Sequence, residues 1–150
     1  MSVQPTQKAL RKVSILAIER VFASTLLLAK DFFYMASLRD GKQKGLGLNP
    51  SFEINLVSPD GLPVSSFSNV ALPADKALDD ADLIILPAFS GDFDLLRARY
   101  PEILPWLRER HSACSIICGE ANGAFWIAQA GLLDGKEATT YRRYFREFAE

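Results

Sequence analysis

Gly119, Glu120, Ala121, Asn122 and Gly123 have the G-x-nucleophile-x-G spacing of a nucleophile elbow, lying between a run of strand formers and a helical stretch. Such a turn lifts its central side chain above the sheet and aims backbone N–H groups at the same point, while the flanking glycines relieve crowding. A serine or cysteine at the centre would attack a carbonyl. The centre here is Ala121, which has no nucleophilic atom, so covalent catalysis from that position is excluded by chemistry. The backbone donors remain, and at a helix start they suit a carboxylate, a phosphate or another polar group.

The neighbours of the apex define what else the turn could do. Glu120 either reaches a ligand, where burial would raise its pKa, or packs against nearby backbone. Asn122 is a ligand contact or a helix cap, and Gly123 completes the backbone cradle. Cys118 lies three residues before the apex and is a reactive thiol or an inert filler. Phe89 and Ser90, in the segment Pro87 to Gly91, follow another strand end and line the same crevice or form a plain capping turn. The single histidine, His111, stands among Arg108, Glu109 and Arg110 at a polar helix end. One histidine and two cysteines lack the count and spacing of a zinc site, and no metal or cofactor is expected.

The elements that position this turn follow from hydrophobic pattern. Val13 to Ile18 and Asp82 to Pro87 are apolar runs typical of strands covered on both faces, and Ser112 to Cys118 reads as a third buried strand. Val21 to Arg39 is one long helix whose apolar residues exceed a single stripe, which points to a homodimer contact. Residues 41–50 have the composition of an exposed connection. Phe52 to Val57 alternates like a strand near a sheet edge, Ser58 to Gly61 is a turn, and Pro63 to Leu72 an extended excursion. Ala74 to Ala81 reads as a short helix ending in the solvated Asp79, Asp80 and Asp82. Ser90 or Asp92 caps the next helix, and Pro101 or Pro105 opens another through Arg110. Gly123 to Ala130 is a helix stopped by Gly131, Asp134 and Gly135 form a turn, and a last helix follows Thr139 or Thr140. Trp106 and Trp126 belong to the core or its rim. Strands alternating with helices imply an α/β fold, a mostly parallel sheet between two helical layers.

Composition narrows the class. The 150 residues suit one domain, with 49% hydrophobic and 23% charged residues. Seventeen basic and eighteen acidic residues give a net charge of -1, without the basic excess that neutralises phosphates, so this chain is not expected to hold DNA itself. Arg20 and Lys30 bracket the apolar stretch Val21 to Ala29, too short to span a membrane. The polar first twelve residues form a flexible segment with no secretory pattern, which points to the cytoplasm. Cys114 and Cys118, roughly 13 Å apart if both lie on one strand at ~3.3 Å per residue, are expected to be buried, unbridged thiols.

The stretch from Gly123 to Thr140, GAFWIAQAGLLDGKEATT, resembles the GAFxLAxAGLLDGxxATTHW segment of AraC-type transcription regulators with a ThiJ/PfpI-like (class I glutamine amidotransferase-like) N-terminal domain. Leu56 to Gly61 and Ala77 to Pro87 are similar to the same family, and the likeness runs from Val13 through the rest of the chain. It implies a three-layer flavodoxin-like domain over residues 13–150, incomplete at its C-terminus. The same likeness implies DNA contact only through a helix-turn-helix region absent from this chain. Three departures mark the site. The family's elbow cysteine corresponds to Ala121, the acid expected near the first helix is replaced by Phe22, Ala23, Ser24 and Thr25, and the His-Trp after Ala-Thr-Thr reads Tyr141 and Arg142.

The resemblance thus implies a non-catalytic domain that senses a small-molecule effector, dimerises, or does both, with Glu120, Ala121, Asn122, Gly123, Phe89, Ser90 and Ser24 as ligand contacts. Two alternatives are a ThiJ/PfpI-like hydrolase or lyase using Cys118 or Glu120 in a rearranged site, and a purely structural dimerisation domain.

Overall fold

The structure is a computed structural model that describes residues 11–40 and 52–149; the segment 1–10 and the expected connection 41–50 lie outside the described residues. Strand β1 (Arg11–Leu16) leads to helix α1 (Ala23–Asp40) and strand β2 (Phe52–Ser58), then to a two-stranded antiparallel hairpin, β3 (Val64–Ser65) with β4 (Ala71–Leu72). The short strand β5 (Lys76–Ala77) and strand β6 (Leu83–Leu86) follow. Helices α2 (Phe93–Arg99) and α3 (Ile103–Ser112) then precede strand β7 (Ile116–Gly119). A 3₁₀ turn at Ala121–Gly123 feeds helix α4 (Ala124–Gln129), and a second 3₁₀ turn at Arg142–Tyr144 feeds helix α5 (Phe145–Ala149).

The main sheet has the order β5-β2-β1-β6-β7, and every adjacent pair in it is parallel. From β1 the chain steps to β2 on one side, and from β6 it steps to β7 on the other. Right-handed crossovers leaving in opposite directions put α1 on one face and the later helices on the other. Phe33 of α1 meets Phe52 of β2 with ring centroids 6.0 Å apart, and Trp106 of α3, on the opposite face, donates its indole N–H to the Asp79 carbonyl at 2.8 Å. The core between these layers is built from β-branched and leucine side chains, Val13, Ile15, Leu56, Ile84 and Leu86 among them, all essentially inaccessible.

Local signals explain most boundaries. Asp92 caps α2 through hydrogen bonds from the Asp94 and Leu95 amides, at 2.8 and 3.3 Å. Pro105 lies within the first turn of α3, where no intrahelical N–H is lost. Gly131 and Gly135 take the left-handed conformation, φ 76° and 71°, that ends α4 and turns the chain.

Three expectations are overturned. The segment 74–81 contains no helix; Lys76 and Ala77 pair with Val57 and Ser58 as a parallel edge strand. Asp75 holds them there, donating its N–H to the Leu56 carbonyl at 2.7 Å and accepting the Leu56 N–H on its carboxylate at 2.8 Å. With no helix to end, Asp79, Asp80 and Asp82 pin β1 instead: Ser14 donates to Asp79, Lys12 pairs with Asp80 at 2.6 Å, and the Lys12 amide donates to Asp82 at 2.8 Å. β7 is an edge strand and not a buried one. Its register places Ile116 and Cys118 on the face that α1 covers over β1 and β2, but α1 does not reach this far, and Ile116 is 66% exposed. Cys118 is accordingly exposed rather than a buried filler, and Cys114, also exposed, lies in the left-handed turn after α3 with φ 66°.

Candidate functional site

β6 and β7 run side by side, Leu86 beside Gly119, and both end at the same rim of the sheet. The elbow that follows is forced by close contact. A Cβ on Gly123 would stand 2.0 Å from the Leu86 carbonyl oxygen, and one on Gly119 would stand 2.7 Å from the Ala124 nitrogen, so neither position admits a side chain without moving backbone. Between them Ala121 has φ 49°, a left-handed conformation uncommon outside glycine, and it is exposed at the summit of the turn. The strained corner of a nucleophile elbow is therefore present with a methyl group at its apex.

Two contacts fix the corner. The Asn122 carboxamide is buried and makes a two-way bridge to the backbone after β6: its Oδ1 accepts the Phe89 N–H at 3.1 Å and its Nδ2 donates to the Phe89 carbonyl at 2.8 Å. It makes no helix-cap hydrogen bond, so the capping reading of its side chain gives way to a tether. Thr140 is also buried and donates its hydroxyl to the Ala121 carbonyl at 3.0 Å, which returns the Ala-Thr-Thr segment to the elbow. Glu120 is half-buried with no hydrogen-bonded partner for its carboxylate among the described residues, and burial pushes its pKa above the ordinary glutamate value.

The loop after β6 is in turn tied to the loop after β1. The Phe22 N–H donates to the Ala88 carbonyl, the Ser90 N–H to the Arg20 carbonyl, each at 2.9 Å, and Val21 and Phe89 form an isolated bridge. Elbow, β6 loop and β1 loop thus form one hydrogen-bonded rim along the carboxyl ends of β7, β6 and β1. Beside it opens a cleft of about 470 Å³ lined by Phe89, Ser90, Gly91, Asn122, Phe125 and Tyr144, among others.

The rim brings together most of the residues singled out from sequence. Phe89, Ser90 and Asn122 line the cleft; Glu120, Ala121 and Gly123 form the adjacent corner without lining it. Ser24 is exposed in the first turn of α1 and makes no side-chain hydrogen bond among the described residues. A larger hollow of about 700 Å³ lies where residues 133–149 cross α4, and of the groups touching the elbow it includes only Thr140. The 470 Å³ cleft is the better candidate site, because it joins the elbow's own tether to the loop between β6 and α2. His111 is exposed in the last turn of α3, away from this rim, and no group of three metal-ligating side chains exists among the described residues. Arg20, at the same rim, has a left-handed backbone, φ 64°, of which the sequence gives no local signal.

No protein-family model matches the chain. A stretch of 99 residues, 64% of this chain and 29% of the other protein, is 32% identical to the HTH-type transcriptional regulator CdhR of Pseudomonas aeruginosa. Another of 98 residues, 63% of this chain and 42% of the other, is 28% identical to isonitrile hydratase of Pseudomonas putida. The chain therefore spans under half the length of either relative. Among solved structures, an AraC family transcriptional regulator from Pseudomonas putida superposes with a TM-score of 0.75 at 21% identity, over 93% of this chain and 71% of that one. The two-domain protein of Anabaena variabilis with DJ-1/ThiJ/PfpI-like and ferritin-like domains gives 0.67 at 17% identity, over 93% and 37%. These likenesses establish the flavodoxin-like α/β fold of DJ-1/ThiJ/PfpI domains, with transcription regulators among the homologues.

Proposed function

We propose that this ThiJ/PfpI-like domain, whose relatives include HTH-type and AraC-type regulators, is the non-catalytic effector-sensing domain of a transcription regulator. The observation that carries the reading is Ala121 at the strained apex: the corner that would raise a nucleophile is kept, with φ 49°, while the reactive atom is missing. A small molecule would occupy the cleft beside it, contacting Phe89 and Ser90 and extending past the cleft to the backbone around Ala121 and Gly123 at the adjacent corner, with Asn122 holding the wall in place. Ser24, on the first turn of α1, is the outermost contact in this reading. The exposed face of α1 would pair two copies, and DNA would be held through a helix-turn-helix region elsewhere in a full-length cytoplasmic regulator.

The test is a thermal-shift screen of the purified chain against a broad metabolite collection. A ligand that binds only the folded form raises the melting point, and at 100 times its Kd the gain is about 2.7 kcal/mol. Saturable stabilisation by one chemical class supports sensing; none across the collection leaves dimerisation as the domain's role.

Relatedness to isonitrile hydratase and the unpaired, half-buried Glu120 carboxyl favour a second reading, an enzyme that uses Glu120 as an acid or base in a rearranged site. Turnover of an isonitrile by the purified chain, lost in Glu120→Gln, would establish it.

A further inference from the structure

We propose that Arg20 is the anchor for a carboxylate group of the effector, a deepening that rests on the sensing role. The chain leaves β1 towards β2 and leaves β6 towards β7, so the sheet changes direction between β1 and β6. In open parallel sheets ligands bind outside the carboxyl ends of the strands at such a switch point, and here the loops that leave β1 and β6 are hydrogen-bonded to each other at that place. Arg20 stands in the first of those loops and is held against the second.

Three segments converge to fix it. Its own backbone is left-handed, φ 64°, a conformation that costs a non-glycine residue energy and persists only when the surroundings impose it. Its N–H donates to the Ser65 carbonyl of the β3–β4 hairpin at 3.0 Å, and its carbonyl accepts from the Ser90 N–H at 2.9 Å. Its side chain, although exposed, is held at two points. The guanidinium Nε donates to the Ser90 carbonyl at 3.0 Å, and the guanidinium carbon lies 5.9 Å from the centroid of the Phe67 ring. Gly91, φ 110°, leaves the room it occupies: a Cβ there would stand 3.0 Å from Nε.

With Nε engaged, the two terminal nitrogens are left as a planar fork, and among the described residues no carboxylate lies within ion-pair distance of them. Arg99, by contrast, is paired with a protein acid, Glu19, at 2.7 Å. A fork held in place in advance, with no internal partner, fits an oxyanion that presents two oxygens side by side. Carboxylate and phosphate share that chemistry. Asp92, Asp94 and Glu147 line the adjoining cleft against a single cation there, Arg143, and this acidic excess repels a phosphate dianion more strongly than a carboxylate monoanion, which favours the carboxylate.

The experiment follows the Arg20 side-chain N–H signals by NMR while benzoate, succinate, benzamide or inorganic phosphate is titrated at constant ionic strength. Expected is a saturable shift with a carboxylate and none with benzamide. The affinity should fall about 10- to 100-fold in Arg20→Lys, which keeps the charge and loses the fork. Saturable amide shifts around residues 88–91 should vanish in Arg20→Gly, a change that relieves the left-handed strain and so keeps the fold. The absence of any saturable carboxylate shift, or one undiminished in Arg20→Gly, would overturn the assignment, and tighter binding of phosphate than of either carboxylate would overturn the choice of class. A metabolite that stabilises the native chain and Arg20→Gly equally would leave sensing intact while removing Arg20 from it.

Discussion

Each residue at the elbow has a separable physical role, and two of those roles can be read in stability. Asn122 satisfies both the N–H and the carbonyl of buried Phe89. Asn122→Ala leaves both without a partner in a site too enclosed for easy solvation, so a loss of about 2–4 kcal/mol is expected by chemical denaturation, at roughly 1–2 kcal/mol per orphaned group. Asn122→Asp should not rescue it, because a carboxylate can accept from the Phe89 N–H but opposes the Phe89 carbonyl. Glu120 behaves in the opposite sense to a paired acid. Burial raises its folded pKa above the ordinary 4.5, so the folded state binds the proton more tightly than the unfolded one. Stability from this group therefore falls as pH climbs from the unfolded value through the folded one. Glu120→Gln should match the native chain at low pH and become the more stable of the two as pH rises. Melting curves between pH 3.5 and 8 that stay parallel would show that the carboxyl is solvated.

At the scale of elements, legibility tracks how local the cause is. β1, β6, α1 and the corner at 119–123 were visible because uninterrupted apolar runs, helical spacing and paired glycines act within a few residues of themselves. The segment 74–81 was not. Its Ala, Lys and Leu favour a helix, but Asp75 exchanges two hydrogen bonds with Leu56, nineteen residues earlier, and that long-range contact overrides propensity. β7 was found as a strand and misjudged in burial, because Ile116, Ile117 and Cys118 have the same apolar composition at an edge as at the centre of a sheet. Only the reach of α1 decides which one it is. The exposure of Cys114 and Cys118 carries a practical consequence: both thiols are open to labelling reagents, so rapid modification alone does not distinguish a catalytic cysteine from an edge-strand one. At the site, glycine spacing announced Ala121, whereas Arg20 owes its left-handed backbone to Ser65 and Ser90, contacts 45 and 70 residues away in sequence that no local pattern encodes.

At the scale of the molecule, helix α1 presents an apolar surface that the core does not explain. Helix α1 buries Leu26 and Ala29 against the sheet and packs Phe33 on it, yet Leu28, Phe32 and Met35 are 55%, 57% and 52% exposed. Their i, i+4, i+7 spacing lines them up as a second apolar stripe directed away from the sheet, flanked by the exposed Leu27 and Tyr34. An 18-residue helix is about 27 Å long, enough for two antiparallel copies to meet along much of the roughly 800 Å² per partner that a stable interface needs. The stripe at β7 is a poorer candidate, since four residues supply only Ile116 and Cys118 on the open face. If α1 pairs two copies about a twofold axis, each substitution acts twice in one interface. Phe32→Glu and Leu28→Glu should then convert a dimer to a monomer in sedimentation equilibrium at tens of micromolar protein. They should do so without loss of helical signal, because neither side chain contributes to the core and exposed substitutions of this kind change monomer stability by only about 0.5 kcal/mol. A dimer that survives both changes would move the interface to another face, and a native chain that sediments as a monomer would leave the α1 stripe to a different partner.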